Sequence, residues 1–127
     1  MRESGIYIVQ LRNEVPIPVT RDRRYVETCG KVNRGNIKVG KAKNFATREK
    51  NYWKDFDRDN VHFEPLAELV EIVVAERVIL RALSDFRKLS PNGRRMEWLE
   101  GISYQEAKRL VFAALDRHGL EYVRRER

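Results

Sequence analysis

Residues 37–48 have the sequence IKVGKAKNFATR, which joins the two kinds of secondary structure on which the fold depends. The stretch starts with the pattern of a short strand and breaks at Gly40. It then opens a helix through Asn44, whose side chain can accept hydrogen bonds from the N–H groups of the first turn. Three lysines and one arginine crowd this junction. Because the N-terminus of a helix also favours negative charge, the stretch predicts a phosphate-binding site.

The positive charge of the chain is concentrated in the same half. The formal net charge is +7, and residues 1–60 carry 14 lysines and arginines against 8 acidic residues, whereas residues 61–127 carry 12 against 11. An asymmetry of this kind is typical of a nucleic-acid-binding surface. A basic face that only aids solubility would give the same counts, so both interpretations stay open on charge alone.

Length and composition predict one domain over residues 1–127, with 42% hydrophobic and 35% charged residues. The longest apolar run is far too short to span a membrane, and the N-terminus lacks the apolar segment of a signal peptide. The single cysteine cannot form an internal disulfide, and no cysteine and histidine cluster has zinc spacing. We therefore expect a cytoplasmic protein with no membrane partner. The absence of a P-loop or a dinucleotide-binding motif predicts no small-molecule cofactor.

The distribution of apolar residues predicts an α+β fold. Strand patterns cover residues 5–11, 37–40 and 61–69, the last interrupted by a proline. Helix patterns cover residues 45–56, 71–88 and 103–118. We expect a small, mainly antiparallel sheet of three strands flanked by helices, with an extra C-terminal helix. A basic insertion over residues 12–34 would connect the first two strands.

Two charged side chains interrupt apolar helix faces. Arg48 lies in the middle of an aromatic face, so either its stem packs while its head reaches water, or its head is aimed at a bound anion. Glu76 lies inside the apolar stripe of the next helix, where its carboxylate must be paired, protonated or bound to a cation. Pairing with Arg77 or Arg81 on the same helix is the structural alternative to a functional role.

An ordered set of residues carries a family resemblance. Gly5-Ile6-Tyr7 lies on the first predicted strand, Lys38-Val39-Gly40 on the second, and Arg48, Tyr52 and Glu76 on the two following helices. This order and spacing resemble the GIY-YIG nuclease family, in particular its small, single-domain phage-type and bacterial members. The resemblance covers about residues 5–99.

The resemblance implies a metal-dependent endonuclease that hydrolyses DNA phosphodiester bonds. Glu76 would hold one Mg²⁺ (or Mn²⁺) ion against the scissile phosphate, and Arg48 would neutralise charge on that phosphate. Tyr7 would position or deprotonate the attacking water. Lys38 would supply a positive field or act as the base itself, and Tyr52 would complete the hydrogen-bond chain.

Several features depart from the family pattern. Lys38 replaces the tyrosine of the second motif, and the spacer between the two motifs is longer than usual. An asparagine that many members place after the glutamate has no clear counterpart, although Asn92 and Glu97 are candidates. A catalytically inactive nucleic-acid-binding module on the same fold is therefore one alternative, and a protein-interaction module is another.

DNA is the expected partner. We predict that its backbone is contacted by Lys31, Arg34, Lys41 and Lys43, and that the insertion over residues 12–34 contributes to the grip on the substrate. Because no appended recognition domain is visible, specificity would come from this domain, from a partner or from a homodimer.

Overall fold

The computed structural model describes residues 3–125. Eight strands and three helices make up this part of the chain, and two short 3-10 turns precede β5 and β6. The elements are β1 (Gly5–Leu11), β2 (Ile17–Pro18), β3 (Lys31–Val32), β4 (Ile37–Ala42), α1 (Phe45–Phe56), β5 (Val61–Glu68), α2 (Ile72–Ala82), β6 (Arg87–Leu89), β7 (Arg95–Leu99), α3 (Tyr104–Arg117) and β8 (Val123–Arg124).

The main sheet has six strands in the order β6-β7-β4-β1-β5-β8, and every neighbouring pair is antiparallel. β1 lies near its centre and pairs with β4 on one side and with β5 on the other. This position agrees with its sequence GIYIVQL, in which all residues except Gln10 are buried. β2 and β3 form a separate two-stranded hairpin within residues 12–34.

Both faces of the sheet are covered, because successive side chains of a strand point to opposite faces. Ile6 and Ile8 of β1 belong to a core that the sheet shares with α2 and α3. Tyr7 and Val9 point the other way, into a core formed with α1 and with Val32 of the small hairpin. The domain is therefore layered, with α1 and the hairpin on one face and α2 and α3 on the other.

The prediction of a three-stranded sheet is wrong, because the sheet has six strands. The three predicted strands form its centre, and β7, β6 and β8 extend it. The predicted helix over residues 71–88 also ends early, at Ala82, and its last residues form β6. Strand pairing with β7 decides the conformation of this segment, although the helical spacing of apolar residues continues to Phe86.

Pro65 lies within β5 without interrupting it. It stands opposite Tyr7, next to a register shift between β1 and β5. On the other side of β5, β8 pairs within residues 3–125 only at Ala67 and Glu68, so the missing N–H of Pro65 removes no ladder hydrogen bond there.

Within residues 3–125, no helix combines the length and the apolar character that crossing a membrane requires.

Gly5 provides a test of how closely β1 approaches β5. A Cβ atom at Gly5 would lie 1.8 Å from the carbonyl oxygen of Ala67, so the two strands would have to separate. We expect Gly5→Ala to lower the free energy of unfolding by about 3 kcal/mol, near the upper end of overpacking costs. Urea unfolding followed by circular dichroism would measure the loss.

Gly101→Ala is the matched control for Gly5→Ala. A Cβ atom there meets nothing within 4 Å, although the φ of +76° is unfavourable for alanine. That strain should cost about 1 kcal/mol. Equal losses for the two variants would contradict the close approach of β1 and β5.

Candidate active site

The centre of the candidate site is a pair of buried tyrosines. The hydroxyl oxygens of Tyr7 on β1 and Tyr52 on α1 lie 2.7 Å apart and share a hydrogen bond. The alternation of β1 directs Tyr7 toward α1, and the ring of Phe63 stacks on it with a centroid distance of 4.7 Å. Two hydroxyls carry two hydrogens and only one lies between them, so the second can be donated to a third oxygen.

Gly40 makes room for this pair. In the β1–β4 ladder it stands opposite Tyr7, and a Cβ atom at Gly40 would lie 2.5 Å from the Tyr7 hydroxyl oxygen. The Tyr7 ring therefore passes directly over the backbone of Gly40. Glycine is required at this position by the close approach of the ring.

Two cations, Lys38 and Arg48, act electrostatically on the tyrosine pair. The ammonium of Lys38 lies 5.3 Å from the centre of the Tyr52 ring and 3.1 Å from a carboxylate oxygen of Glu97. Burial raises the pKa of both Tyr7 and Tyr52, and the positive charge of Arg48 acts on both in the opposite direction. The attraction of Lys38 lowers the pKa of Glu97. Both phenols are consequently neutral at physiological pH in the free protein.

Glu76 lies on the opposite side of β4 and is paired with Lys41. One carboxylate oxygen, Oε1, lies 2.7 Å from the Lys41 ammonium, and Oε2 accepts the backbone N–H of the same residue at 3.1 Å. The negative charge of Glu76 within the apolar stripe of α2 is therefore compensated by a residue of β4 that lies 35 positions away in the chain. The suggested pairing with Arg77 or Arg81 on the same helix is replaced by this contact.

The edge of β4 is open at this point. Among the described residues, β7 pairs with β4 only at Ile37 and Lys38, so the Lys41 N–H faces outward and is available to Glu76. A pocket of about 410 Å³ lies between the start of α1 and the start of α2. Its lining residues are Lys41, Lys43, Asn44, Thr47, Arg48, Asn51, Ile72 and Val73.

The start of α1, which was predicted from the sequence, forms one wall of the pocket. Asn44 caps α1, and its side-chain oxygen accepts the backbone N–H of Thr47. The exposed side chain of Arg48 lines the pocket beside Lys43, which favours an anion as its occupant. Such a pocket can hold a phosphate group.

Comparison with protein families identifies the family of the chain. The family model of the T5orf172 domain matches residues 23–114, which is more than half of the chain. The chain belongs to the T5orf172 domain family. No curated protein and no solved structure gives a significant match. Membership in this family is compatible with a role on nucleic acid.

The assignment to the GIY-YIG family is corrected by this match, because the matching model is that of a different family. Packing accounts for Gly5, for Ile6 and for the ring of Tyr7, the residues of the first tripeptide of the resemblance. Gly5 is needed for the approach of β1 to β5, Ile6 belongs to one core, and Tyr7 belongs to the other. Residues 5–7 lie outside the range that the T5orf172 domain model matches.

The T5orf172 domain brings most of the predicted site residues together, in two groups. The first group is the Tyr7–Tyr52 hydroxyl pair with Lys38 and Arg48, whose charges act on it. The second group is Lys41, Lys43 and Glu76, at the open edge of β4. Both groups meet at the basic pocket, since Arg48 and Lys41 line it together.

Two predicted DNA contacts lie elsewhere. Lys31 is on β3 and lines a different pocket together with Glu27 and Lys88. Arg34 forms an ion pair of 3.2 Å with Glu14, near the end of β1 that is remote from Tyr7. The structure therefore does not bring these two residues to the site.

Thr47 and Asn51 line the pocket and were not predicted as site residues. The signal was present in the sequence, because Asn44, Thr47 and Asn51 follow one another at helical spacings of three and four residues. They therefore share one face at the start of α1 with Arg48.

The buried phenols predict a loss of stability at alkaline pH. The unfolded chain ionises them near the ordinary value of 10.0, whereas the folded chain keeps them protonated. Above that pH the unfolded state binds fewer protons, so the free energy of unfolding falls as pH rises, by up to about 1.4 kcal/mol per pH unit for each phenol. Tyr52→Phe should reduce this fall.

Urea unfolding at about pH 9 and about pH 11 would measure the effect. Tyr25→Phe is the control, because it removes an exposed tyrosine and should leave the fall as in the wild type. An equal fall in the wild type and in Tyr52→Phe would show that Tyr52 ionises in the folded protein.

Proposed function

We propose that this T5orf172 domain hydrolyses phosphodiester bonds of DNA with the help of one divalent cation. The observation that carries the proposal is the buried Tyr7–Tyr52 hydroxyl pair, which is linked to the basic pocket through Arg48, a lining residue whose charge acts on both phenols. Tyr52 and Lys38 line a separate pocket together with Asp55 and Glu97. Two hydroxyls that are buried in an aromatic core, with the charge of Arg48 acting on both, constitute a polar group that apolar packing does not need.

A DNA phosphate in the basic pocket would be bound chiefly by Arg48. Its planar guanidinium can donate two hydrogen bonds to a phosphate and stabilise charge that develops during cleavage. Lys43 adds positive charge, and the first turn of α1 adds its N-terminal dipole. These interactions are electrostatic, so binding should weaken steeply as salt is added.

The tyrosine pair would position the attacking water. Because burial keeps both phenols protonated in the free protein, the hydrogen that they do not share is donated to the water or to a phosphate oxygen. Lys38 and Arg48 both lower the pKa of Tyr7, and they are the groups that would favour its deprotonation if it acts as the base.

The carboxylate of Glu76 would hold the cation. Within residues 3–125, no three His, Cys, Asp or Glu side chains converge as a site for a metal ion, so a cation at Glu76 would need water and substrate phosphate as its other ligands. A lone carboxylate suits Mg²⁺ or Mn²⁺, since Mg²⁺ keeps several waters and is commonly held by one or two carboxylates together with substrate phosphates. The donor set at Glu76 therefore fits such an ion, which would supply Lewis-acid stabilisation of the scissile phosphate when bound.

A second function is favoured by one specific observation. The Glu76 carboxylate is already neutralised by Lys41, and the remaining charges, Lys43 and Arg48, are positive, so the same surface would bind DNA without metal or turnover. This nucleic-acid-binding module would show salt-sensitive binding of DNA but no cleavage.

Glu76→Gln tests the proposed metal-dependent cleavage. We expect it to reduce cleavage of supercoiled and branched DNA by at least about a hundredfold in Mg²⁺ or Mn²⁺, because Lewis-acid stabilisation contributes several kcal/mol. Chelator should abolish cleavage by the wild type. Glu71→Gln is the matched control, since it removes an exposed carboxylate at the start of the same helix.

The outcomes of the Glu76→Gln experiment separate the two functions. Cleavage that survives in Glu76→Gln would place the activity away from this carboxylate. A wild type that binds DNA in a salt-sensitive manner, yet leaves it intact in both metals, would establish the non-catalytic module instead.

Tyr7→Phe tests the role of the hydroxyl pair. The ring packing is retained, so we expect a loss of stability of only about 1 kcal/mol from the hydrogen bond. Cleavage should fall about a hundredfold or more, because water positioning and proton transfer contribute at that scale. Rates under single-turnover conditions, compared with DNA affinity in Ca²⁺, would separate chemistry from binding. A variant with wild-type single-turnover rates would leave Tyr7 a purely structural residue.

A further inference from the structure

Lys41 contacts both oxygens of the Glu76 carboxylate, and it does so with two different groups. Its backbone N–H holds Oε2 at 3.1 Å, whereas its side-chain ammonium holds Oε1 at 2.7 Å. We propose that Lys41 is a positioning residue that excludes the divalent cation from Glu76 until the ammonium is displaced, and that the displaced ammonium then binds the DNA phosphate. This inference rests on the proposed metal-dependent function.

The two contacts differ in how easily they can be broken. The backbone N–H belongs to β4, which is fixed by its ladder with β1, so this hydrogen bond keeps the carboxylate oriented. The ammonium is carried by a flexible four-carbon stem and can move without disturbing the sheet. Displacement of the side chain therefore frees Oε1 in an orientation already set by Oε2.

The pair is accessible to an incoming ion. The side chains of Lys41 and Glu76 are 38% and 21% exposed, so water and dissolved cations can reach them. A divalent ion at Oε1 would occupy the place of the ammonium, and like charges at that distance repel. The ammonium and the divalent ion thus compete for one carboxylate oxygen.

The basic pocket offers the displaced ammonium a new partner. Lys41 is itself a lining residue of this pocket, beside Lys43 and Arg48. A phosphate bound there would accept the ammonium in place of Glu76. Binding of the cation and binding of DNA should therefore strengthen each other, and the coupling must be reciprocal.

Mn²⁺ binding, measured by the loss of the free-ion electron paramagnetic resonance signal, tests the competition without relying on activity. The proteins compared are the wild type, Lys41→Met, Lys43→Met and Glu76→Gln. Lys41→Met removes the ammonium but keeps the backbone N–H that orients Glu76. Lys43→Met removes the same charge from the same pocket, while both carboxylate contacts described above come from Lys41.

We expect Lys41→Met to bind Mn²⁺ about fivefold more tightly than the wild type, the scale of a partly exposed ion pair. Lys43→Met should change the affinity less than about twofold, because it alters only the general field. Unchanged or weaker binding by Lys41→Met, or equal tightening in both lysine variants, would overturn the inference.

Glu76→Gln separates failure of the inference from failure of the proposed function. If neither the wild type nor Lys41→Met binds Mn²⁺ more tightly than Glu76→Gln does, the metal is not held at Glu76 and both proposals fail. If Glu76→Gln alone loses binding while Lys41→Met is unchanged, the metal site stands and only the competition is overturned.

The coupling to DNA provides a second measurement. In the wild type, Ca²⁺ should tighten the binding of a short duplex, and Lys41→Met should reduce this enhancement by about twofold or more. Lys43→Met should weaken duplex binding equally with and without Ca²⁺. An enhancement of the same size in the wild type and Lys41→Met would contradict transfer of the ammonium to the phosphate.

Discussion

The passage of the Tyr7 ring over Gly40 is the constraint on which the candidate site depends. Antiparallel pairing of β1 with β4 puts the two residues opposite each other, and the missing side chain of Gly40 lets the phenol reach Tyr52 on α1. One hydrogen bond thereby joins the central strand to the first helix. A larger residue at position 40 would force the hydroxyl of Tyr7 away from Tyr52. The register of the sheet fixes Gly40 as the residue of β4 that lies opposite Tyr7.

The two groups of site residues lie on opposite faces of β4, and the alternation of the strand explains why. Lys38 and Gly40 point toward α1, whereas Lys41 points toward α2 and Glu76. They can act on one ligand only where the sheet ends, because elsewhere the sheet itself separates them. The short pairing of β7 with β4 provides that place, since it leaves the outer edge of β4 open beyond Lys38. The starts of α1 and α2 then form the walls of the pocket at this edge.

The three central strands of the sheet could be predicted from the sequence, whereas the edge strands β6 and β8 could not. β1 was predicted from its β-branched and aromatic residues, β4 from a short extended pattern and β5 from its alternating character, and the cap of α1 was predicted from Asn44. β6 has three residues and β8 has two, which is too short for a recognisable alternation. Their conformation is set by neighbouring strands. The apolar spacing around Phe86 fits a helix equally well, and only the partner strand β7 decides against it.

In the candidate site, too, some residues could be predicted from the sequence and others could not. Tyr7, Arg48 and Tyr52 were named from the sequence through a family resemblance. Strand alternation and helical spacing only direct Tyr7 toward α1 and place Arg48 and Tyr52 one turn apart, and the packing of α1 on the sheet brings the two hydroxyls together. The partner of Glu76 was not found, because Lys41 lies 35 positions away in the chain, and only the packing of α2 on β4 brings it close. A carboxylate inside an apolar stripe indicates that its negative charge must be compensated, but it does not identify the residue that does so. Here the compensating group is a flexible lysine beside a basic pocket, so in the proposed function the contact that stabilises the packing of α2 on β4 would also control which ion reaches the carboxylate.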